Sequence, residues 1–296
     1  MPSALRRLSR TDTVSGWALV SPAALLIGIF GLLPVLMSLQ LSFQKSDLLS
    51  NETPWVGFDN YKKLADDPVF LEAIKHTLIY TALFVPGTML VGLLVATALN
   101  RSVRFISVYR TAAYVTMAVS TISQGIIFLW LTDRDYGLVN AALNAVGVSS
   151  QPFLASPSQA LYVIVAMTIW GWTGFSVIVY LAALQGVPPE LHEAAAIDGA
   201  SAFTRFRTIT VPLLGPANLF LVVWLTINAL QLFDEVYVTT RGGPLRATTV
   251  IVYYLWDRAF VQFDAGYAAA MAYALFVVIL IVTAVQFRLA RRHVHS

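Results

Sequence analysis

A chain of 296 residues that is 57% hydrophobic and only 12% charged is not composed like a soluble domain, where about 25% of residues carry charge. It contains no cysteine, which excludes disulfides and thiolate metal sites. The net charge of +3 is small and dispersed, and no basic patch interleaved with aromatics points to nucleic acid. The four histidines, His76, His192, His293 and His295, are scattered and form no ligand set.

A membrane-crossing helix needs about 20 apolar residues. Stretches free of Asp, Glu, Lys and Arg run over 13–44, 77–100, 111–132, 136–189, 208–233 and 265–287. The fourth is too long for one span. Its front half, Tyr136 to Gln159, reads as loop plus short helix, and its back half, Ala160 to Leu184, as the span. The expectation is an all-α polytopic membrane protein with six transmembrane helices. The first run, Trp17 to Phe43, follows Arg6, Arg7 and Arg10 but exceeds the roughly 7–15 apolar residues of a signal core. It is expected as a retained helix kinked at Pro22 and Pro34.

Lys and Arg set the orientation. With a cytoplasmic N-terminus, 11 of the 19 basic residues fall inside, including Arg101, Arg104, Arg110, Arg205, Arg207 and Arg288, while 12 of the 16 acids fall outside. Both termini are therefore expected in the cytoplasm. The organisation is a short N-terminal segment (1–16), a six-helix transmembrane domain (17–290) and a short tail (291–296).

Between the first two spans lies TPWVGFDNYKKLADDP, in which Trp55, Phe58 and Tyr61 recur every three residues. Both an interfacial amphipathic segment and a folded loop would look like this. Asn51-Glu52-Thr53 fits the glycosylation pattern, a match short enough to arise by chance.

The stretch Pro188 to Pro216 is the long polar, patterned segment of the chain. Pro188 and Pro189 can open a helix, and Glu190 and Glu193 suit its first turns. Asp198-Gly199 reads as a stop with a left-handed cap, and Ser201 as the cap of a second short helix whose apolar face is Ala202, Phe203, Phe206 and Ile209. Gly199 is the expected corner, where added bulk would strain the backbone and push the two helices apart. The composition alone also fits an ordinary connecting loop.

Chemistry that needs a sequence signature is missing. No Gly-Lys pair occurs, so there is no Walker A sequence, and neither G-x-S-x-G nor HExxH is present. No catalytic residue and no metal site is expected. The span interiors hold no formal charge, with Asp133 and Asp234 at their edges, which argues against an ion-coupled carrier. Polar groups do occur: Thr168, Trp172 and Ser176 in the fourth span, and Trp224, Thr226, Asn228 and Gln231 in the fifth, which ends in Phe233-Asp234-Glu235. They suit a sugar or polyol surface, but from sequence alone helix–helix bonding is the favoured reading.

Glu193-Ala194-Ala195, then Gly199, Ile209 and Val211-Pro212, resembles the EAA loop of ABC importer permeases, which usually carry Leu-Pro at the end. Gly242-Gly243-Pro244 followed by Ala247-Thr248-Thr249 resembles carbohydrate-uptake members, as does Gly57 with Asn60 and Tyr61. Within that family the chain looks most similar to permeases of glycerol-3-phosphate and glycerophosphodiester importers, with maltose and trehalose types close behind. The resemblance implies a cytoplasmic helix-turn-helix docking loop (188–212) that meets an ATPase through Glu190, Glu193, Ala194, Ala195, Asp198, Gly199, Phe203, Phe206 and Ile209. It implies a solute path at Thr168, Gly171, Trp172, Phe175, Leu225, Asn228, Ala229 and Leu232, where identities mostly differ from the maltose case. It further implies a bacterial inner-membrane protein that is not itself an enzyme and binds no cofactor. ATP and Mg would sit on two copies of a partner ATPase, beside a second permease subunit in a heterodimer and an external solute-binding protein. A secondary carrier without an ATPase is the competing reading, and a membrane scaffold a third.

Overall fold

The computed structural model describes residues 10–46, 53–101 and 104–294. The Asn51-Glu52 part of the glycosylation pattern, like Arg6, Arg7 and His295, lies outside the described residues. Among the described residues four helices are long and apolar enough to cross a membrane: α1 (Ser15–Ser42), α3 (Pro68–Leu99), α7 (Ala160–Gln185) and α13 (Ala265–Val294), of which Ala265–Ala290 is the apolar part. Between α1 and α3 stands the short α2 (Asp59–Asp66). Among the described residues the only β feature is an isolated antiparallel bridge, Gln44 to Trp55.

Two expected single spans are instead bent pairs. The run 111–132 is α4 (Ile106–Ala118) followed by α5 (Thr121–Leu131), which meet at 99°. Local chemistry explains the break. Val119 is extended, Ser120 Oγ accepts the Ser123 N–H at 3.3 Å, and Gln124 Nε2 donates to the Val119 carbonyl at 2.8 Å. A serine at a helix start competes with continuation of the preceding helix. After α6 (Leu138–Ala145), α7 and α8 (Pro189–Ile197), the run 208–233 divides in the same way. There α9 (Ala202–Leu213) meets α10 (Gly215–Leu230) at 65°, with Pro216 in the first turn of the new helix. At 16 residues, α10 is about 24 Å long, shorter than a bilayer core of about 30 Å. The six expected spans thus appear as four continuous helices and two bent pairs.

The expected kinks in α1 take another form. The helix runs on, with a π turn at Ile27–Leu32 between Pro22 and Pro34. A second π turn, Phe206–Thr210, lies just before Pro212. A proline ring clashes with the carbonyl four residues back, and widening the preceding turn relieves that clash without breaking the helix.

The core sits between α3, α7 and α10, around Tyr80, Phe84, Ile164, Met167, Val177, Tyr180, Leu221 and Leu225, all at most 2% exposed. Small residues allow the close approach: a β-carbon on Gly174 would fall 2.8 Å from the Ala113 carbonyl of α4. By contrast none of the apolar window of α1 is buried, and Trp17, Leu19 and Phe30 are exposed.

The aromatics after α1 form a folded cap. Phe43 stacks on Trp55 at 5.6 Å and meets Phe58 edge-on at 5.3 Å. Asn60 Nδ2 donates to the carbonyls of Ser42 and Gln44 at 2.9 and 3.0 Å. In 136–159, buried Asn140 donates to the carbonyls of Asp133 and Gln151, tying α6 to its loop. A second core joins α3 to α12 (Ile251–Trp256) and α13. At its centre Asp67 Oδ2 accepts the hydroxyls of Tyr254 and Tyr267, both at 2.7 Å, with Arg258 3.6 Å away.

Candidate functional site: a surface loop and a lined cavity

The helix pair α8–α9 forms the loop that the sequence singled out. Pro188 is extended and Pro189 starts α8, with Glu190 in its first turn. Gly199 takes φ +79°, where an L side chain is strained. Its N–H donates to the Ala196 carbonyl at 3.1 Å and that of Ala200 to the Ala195 carbonyl at 2.9 Å, the paired bonds of a Schellman stop. Ser201 Oγ accepts the Thr204 N–H at 3.2 Å. Arg205 Nη1 reaches back to the His192 carbonyl at 3.2 Å, so a single side chain straps α9 to α8.

Glu190, Glu193, Ala194, Asp198, Gly199 and Phe203 are exposed, while Ala195, Phe206 and Ile209 are half-buried. The expected single apolar face is therefore split. The π turn at Phe206–Thr210 shifts the helical phase, leaving Phe203 72% exposed and turning Phe206 and Ile209 inward. Ile197, not singled out from sequence, is 87% exposed. The steric part of the Gly199 expectation is also corrected, since a β-carbon there would meet nothing within 4 Å. Only the backbone conformation demands glycine.

Two adjoining cavities open between α3, α5, α7 and α10. One, of about 180 Å³, is lined by Tyr80, Phe84, Thr121, Trp172, Asn228, Gln231 and Leu232 together with Phe233, Asp234 and Glu235. The other, of about 270 Å³, has Gln124, Gly171, Phe175 and Trp224 on its wall. Thr121 and Trp172 border both. The Trp172 ring stands edge-on to Phe84 (6.4 Å) and to Phe175 (5.8 Å), which fixes its plane between the two spaces.

The eight expected solute-path residues separate. Trp172, Asn228 and Leu232 line the first cavity; Gly171, Trp172 and Phe175 line the second. Thr168, Leu225 and Ala229 line neither and are at most 1% exposed in the core. The Thr168 hydroxyl is spent within its own helix, donating to the Ile164 carbonyl at 3.0 Å. Helical spacing puts these residues on one face, but neighbouring helices cover the ends of that face.

Sequence reasoning missed Tyr80, Thr121, Gln124 and Glu235. The first three come from helices distant in sequence, with no local pattern to join them. Glu235 belongs to α11 (Asp234–Thr239), which follows α10 after a sharp turn at Phe233 and packs on α5. The sequence places it at the end of the fifth apolar run, with no reason to assign it to the solute path. The turn brings its half-buried carboxyl to the cavity beside Trp172, and burial, with Asp234 adding to it, pushes the carboxyl up to about 7.

The model of the family "Binding-protein-dependent transport system inner membrane component" matches residues 88–295. A lactose transport system permease protein of Rhizobium radiobacter is 35% identical over 290 residues, covering 96% of each chain. An sn-glycerol-3-phosphate transport system permease protein of Agrobacterium fabrum is 33% identical over 280 residues, covering 94% of this chain and 95% of the relative. Among solved structures, a bacterial ABC transporter involved in import of the acidic polysaccharide alginate superimposes with a TM-score of 0.84 at 26% identity, over 95% of this chain and 98% of that one.

Proposed function

The chain belongs to the family of binding-protein-dependent transport system inner membrane components, and from that premise we propose how its parts divide the work of import. It is a multi-pass permease of an ABC importer of the carbohydrate and glycerol-3-phosphate group. A carrier working without an ATPase is not favoured. In the proposal, the α8–α9 loop faces the cytoplasm and seats in a cleft on a partner ATPase. Two copies of that ATPase hold ATP and Mg, and a second, related permease completes a heterodimer. An external binding protein delivers a small polar solute, a sugar, glycerol-3-phosphate or a glycerophosphodiester. All six apolar stretches cross the membrane, and both termini lie in the cytoplasm. Hydrolysis on the partner rocks the helices between outward- and inward-open states, and the solute passes Trp172 and Asn228.

The observation that carries this reading is the exposed apolar pair Ile197 and Phe203, held on either side of a corner that a single glycine conformation defines. Exposed apolar residues beside exposed acids suit a protein partner. Glu193 is available there to pair with a basic residue of the ATPase.

Purifying the chain with its genomic neighbours and reconstituting it into vesicles tests the proposal. The expected result is a co-purifying nucleotide-binding subunit and uptake that stops without ATP. Uptake that persists without nucleotide, with no such subunit bound, overturns it. Because the chain has no cysteine, single cysteines report topology directly: labelling of Ser3→Cys or Ser296→Cys by an impermeant reagent outside intact cells would refute cytoplasmic termini.

A further inference from the structure

The smaller cavity is lined by two acids and no base. Asp234 and Glu235 lie on its wall, and among the described residues no Lys or Arg does. The ion pairs of the described residues are Lys62–Asp59, Lys63–Asp264 and Arg258–Asp67, none of which involves either acid. The rest of the wall is aromatic and amide: Tyr80, Phe84 and Trp172 offer apolar edges and faces, while Asn228 and Gln231 offer donors and acceptors. Asn228 uses one N–H on the Trp224 carbonyl of its own helix, at 2.8 Å, and keeps its carbonyl oxygen for other partners.

We propose that Glu235 is a specificity-determining residue of the solute path, and that the path selects neutral polyhydroxylated solutes over phosphate, sulfonate or carboxylate ones. The inference rests on the importer reading and narrows its solute class. A carboxylate is an acceptor for hydroxyl donors, and its two oxygens can take adjacent hydroxyls of one sugar ring. The aromatic surface of Trp172 suits the apolar C–H face of such a ring. An anionic solute would find no cation on this wall and, above the Glu235 value of about 7, would face like charge at close range in a partly water-excluded space. Of the solutes that the relatives described above are named for, lactose fits this wall, whereas sn-glycerol-3-phosphate and the acidic polysaccharide alginate do not.

The charge can be measured without knowing the solute. The probes are a cationic and an anionic methanethiosulfonate, reacted at about pH 8, above the Glu235 value of about 7, with Asn228→Cys in the assembled complex and read by the mass of this chain, whose sequence has no other cysteine. The ratio of cationic to anionic rates, normalised to the same ratio for mercaptoethanol, is expected to be raised about fivefold or more. Glu235→Gln should reduce it about threefold or more, and Glu235→Asp should preserve it. A ratio at or below that of mercaptoethanol, or one that Glu235→Gln leaves unchanged, overturns the proposal. In the second arm the wild-type complex, with its binding protein in vesicles, is offered neutral mono- to trisaccharides and polyols against glycerol-3-phosphate and sugar acids. ATP-driven uptake confined to neutral solutes is expected. ATP-driven uptake of an anionic solute overturns the inference and leaves the importer reading intact, whereas uptake that ignores ATP overturns the importer reading itself.

Discussion

Replacing Gly199 separates a backbone requirement from a steric one. The residue sits at φ +79°, and a β-carbon placed on it meets nothing within 4 Å. Gly199→Ala therefore adds no clash; its cost is the left-handed conformation, about 1–2 kcal/mol for an L residue. The corner has little to hold it against that strain. Its two stop bonds are local, and the Arg205 bond to the His192 carbonyl is one contact at 3.2 Å on a surface loop. The free loop should relax, and binding of the ATPase must restore the corner. At about 1.4 kcal/mol per factor of ten, the apparent Kd for the ATPase should rise about 5- to 30-fold. Asparagine tolerates the left-handed region far better than alanine, so Gly199→Asn should stay within about threefold of wild type. The assay is titration of the purified ATPase onto the permease complex in nanodiscs, with membrane level and monodispersity as controls. Alanine binding like wild type would refute the reasoning, because the corner would then not be needed. Asparagine binding as weakly as alanine would refute it too, because the loss would not come from φ.

Three further outcomes follow from the packing. Gly171→Ala would place a β-carbon 2.1 Å from Gln124 Oε1 and displace the amide that donates to the Val119 carbonyl at 2.8 Å. Destabilisation of about 1–3 kcal/mol is expected in thermal unfolding, and the double variant with Gln124→Ala should be non-additive. Asp67→Asn should lower the unfolding temperature by the equivalent of about 1.5–3 kcal/mol, the worth of hydrogen bonds to a charged group. Burial alone would raise the Asp67 carboxyl, but the Tyr254 and Tyr267 hydroxyls and the Phe70 and Val69 N–H groups outweigh it and hold it below its ordinary 3.8. That stabilisation is present above 3.8 and is lost as pH falls through the folded value, so wild type and Asp67→Asn should converge in acid. Trp172→Ala and Asn228→Ala should each slow ATP-driven uptake about tenfold while the subunits still co-elute, since the Asn228 bond is local to its helix; wild-type rates in both would remove the cavity from the solute path.

What could be read from the sequence was whatever a local pattern carries. Run length marked the six apolar stretches. The pairing of Asp198-Gly199 with Ser201 marked the corner, because a left-handed stop and a serine cap are properties of three or four adjacent residues. The two bends were harder. Ser120 and Gly215-Pro216 are helix-start signals, yet each lies inside an uninterrupted apolar run, where run length argues for one span. The expected solute path shows the sharper limit. Thr168, Gly171, Trp172 and Phe175 share a helix face by their spacing, but spacing cannot say how much of that face a neighbouring helix covers, and Thr168 is wholly covered. Glu235 fails in the opposite direction. A charge that ends an apolar run is expected at the membrane edge, because the chain is assumed to leave the membrane there. Here the chain turns at Phe233, and α11 lies back against α5. The contact is close: a β-carbon on Gly125 would fall 2.9 Å from Val238 Cγ1. That packing, between residues more than a hundred positions apart, carries Glu235 to the cavity wall beside Trp172 and Asn228. Whether a terminal acid marks an interface or a binding surface is thus decided by the direction of the residues that follow it, and in this chain by one glycine on a helix that the sequence alone gave no reason to pair with it.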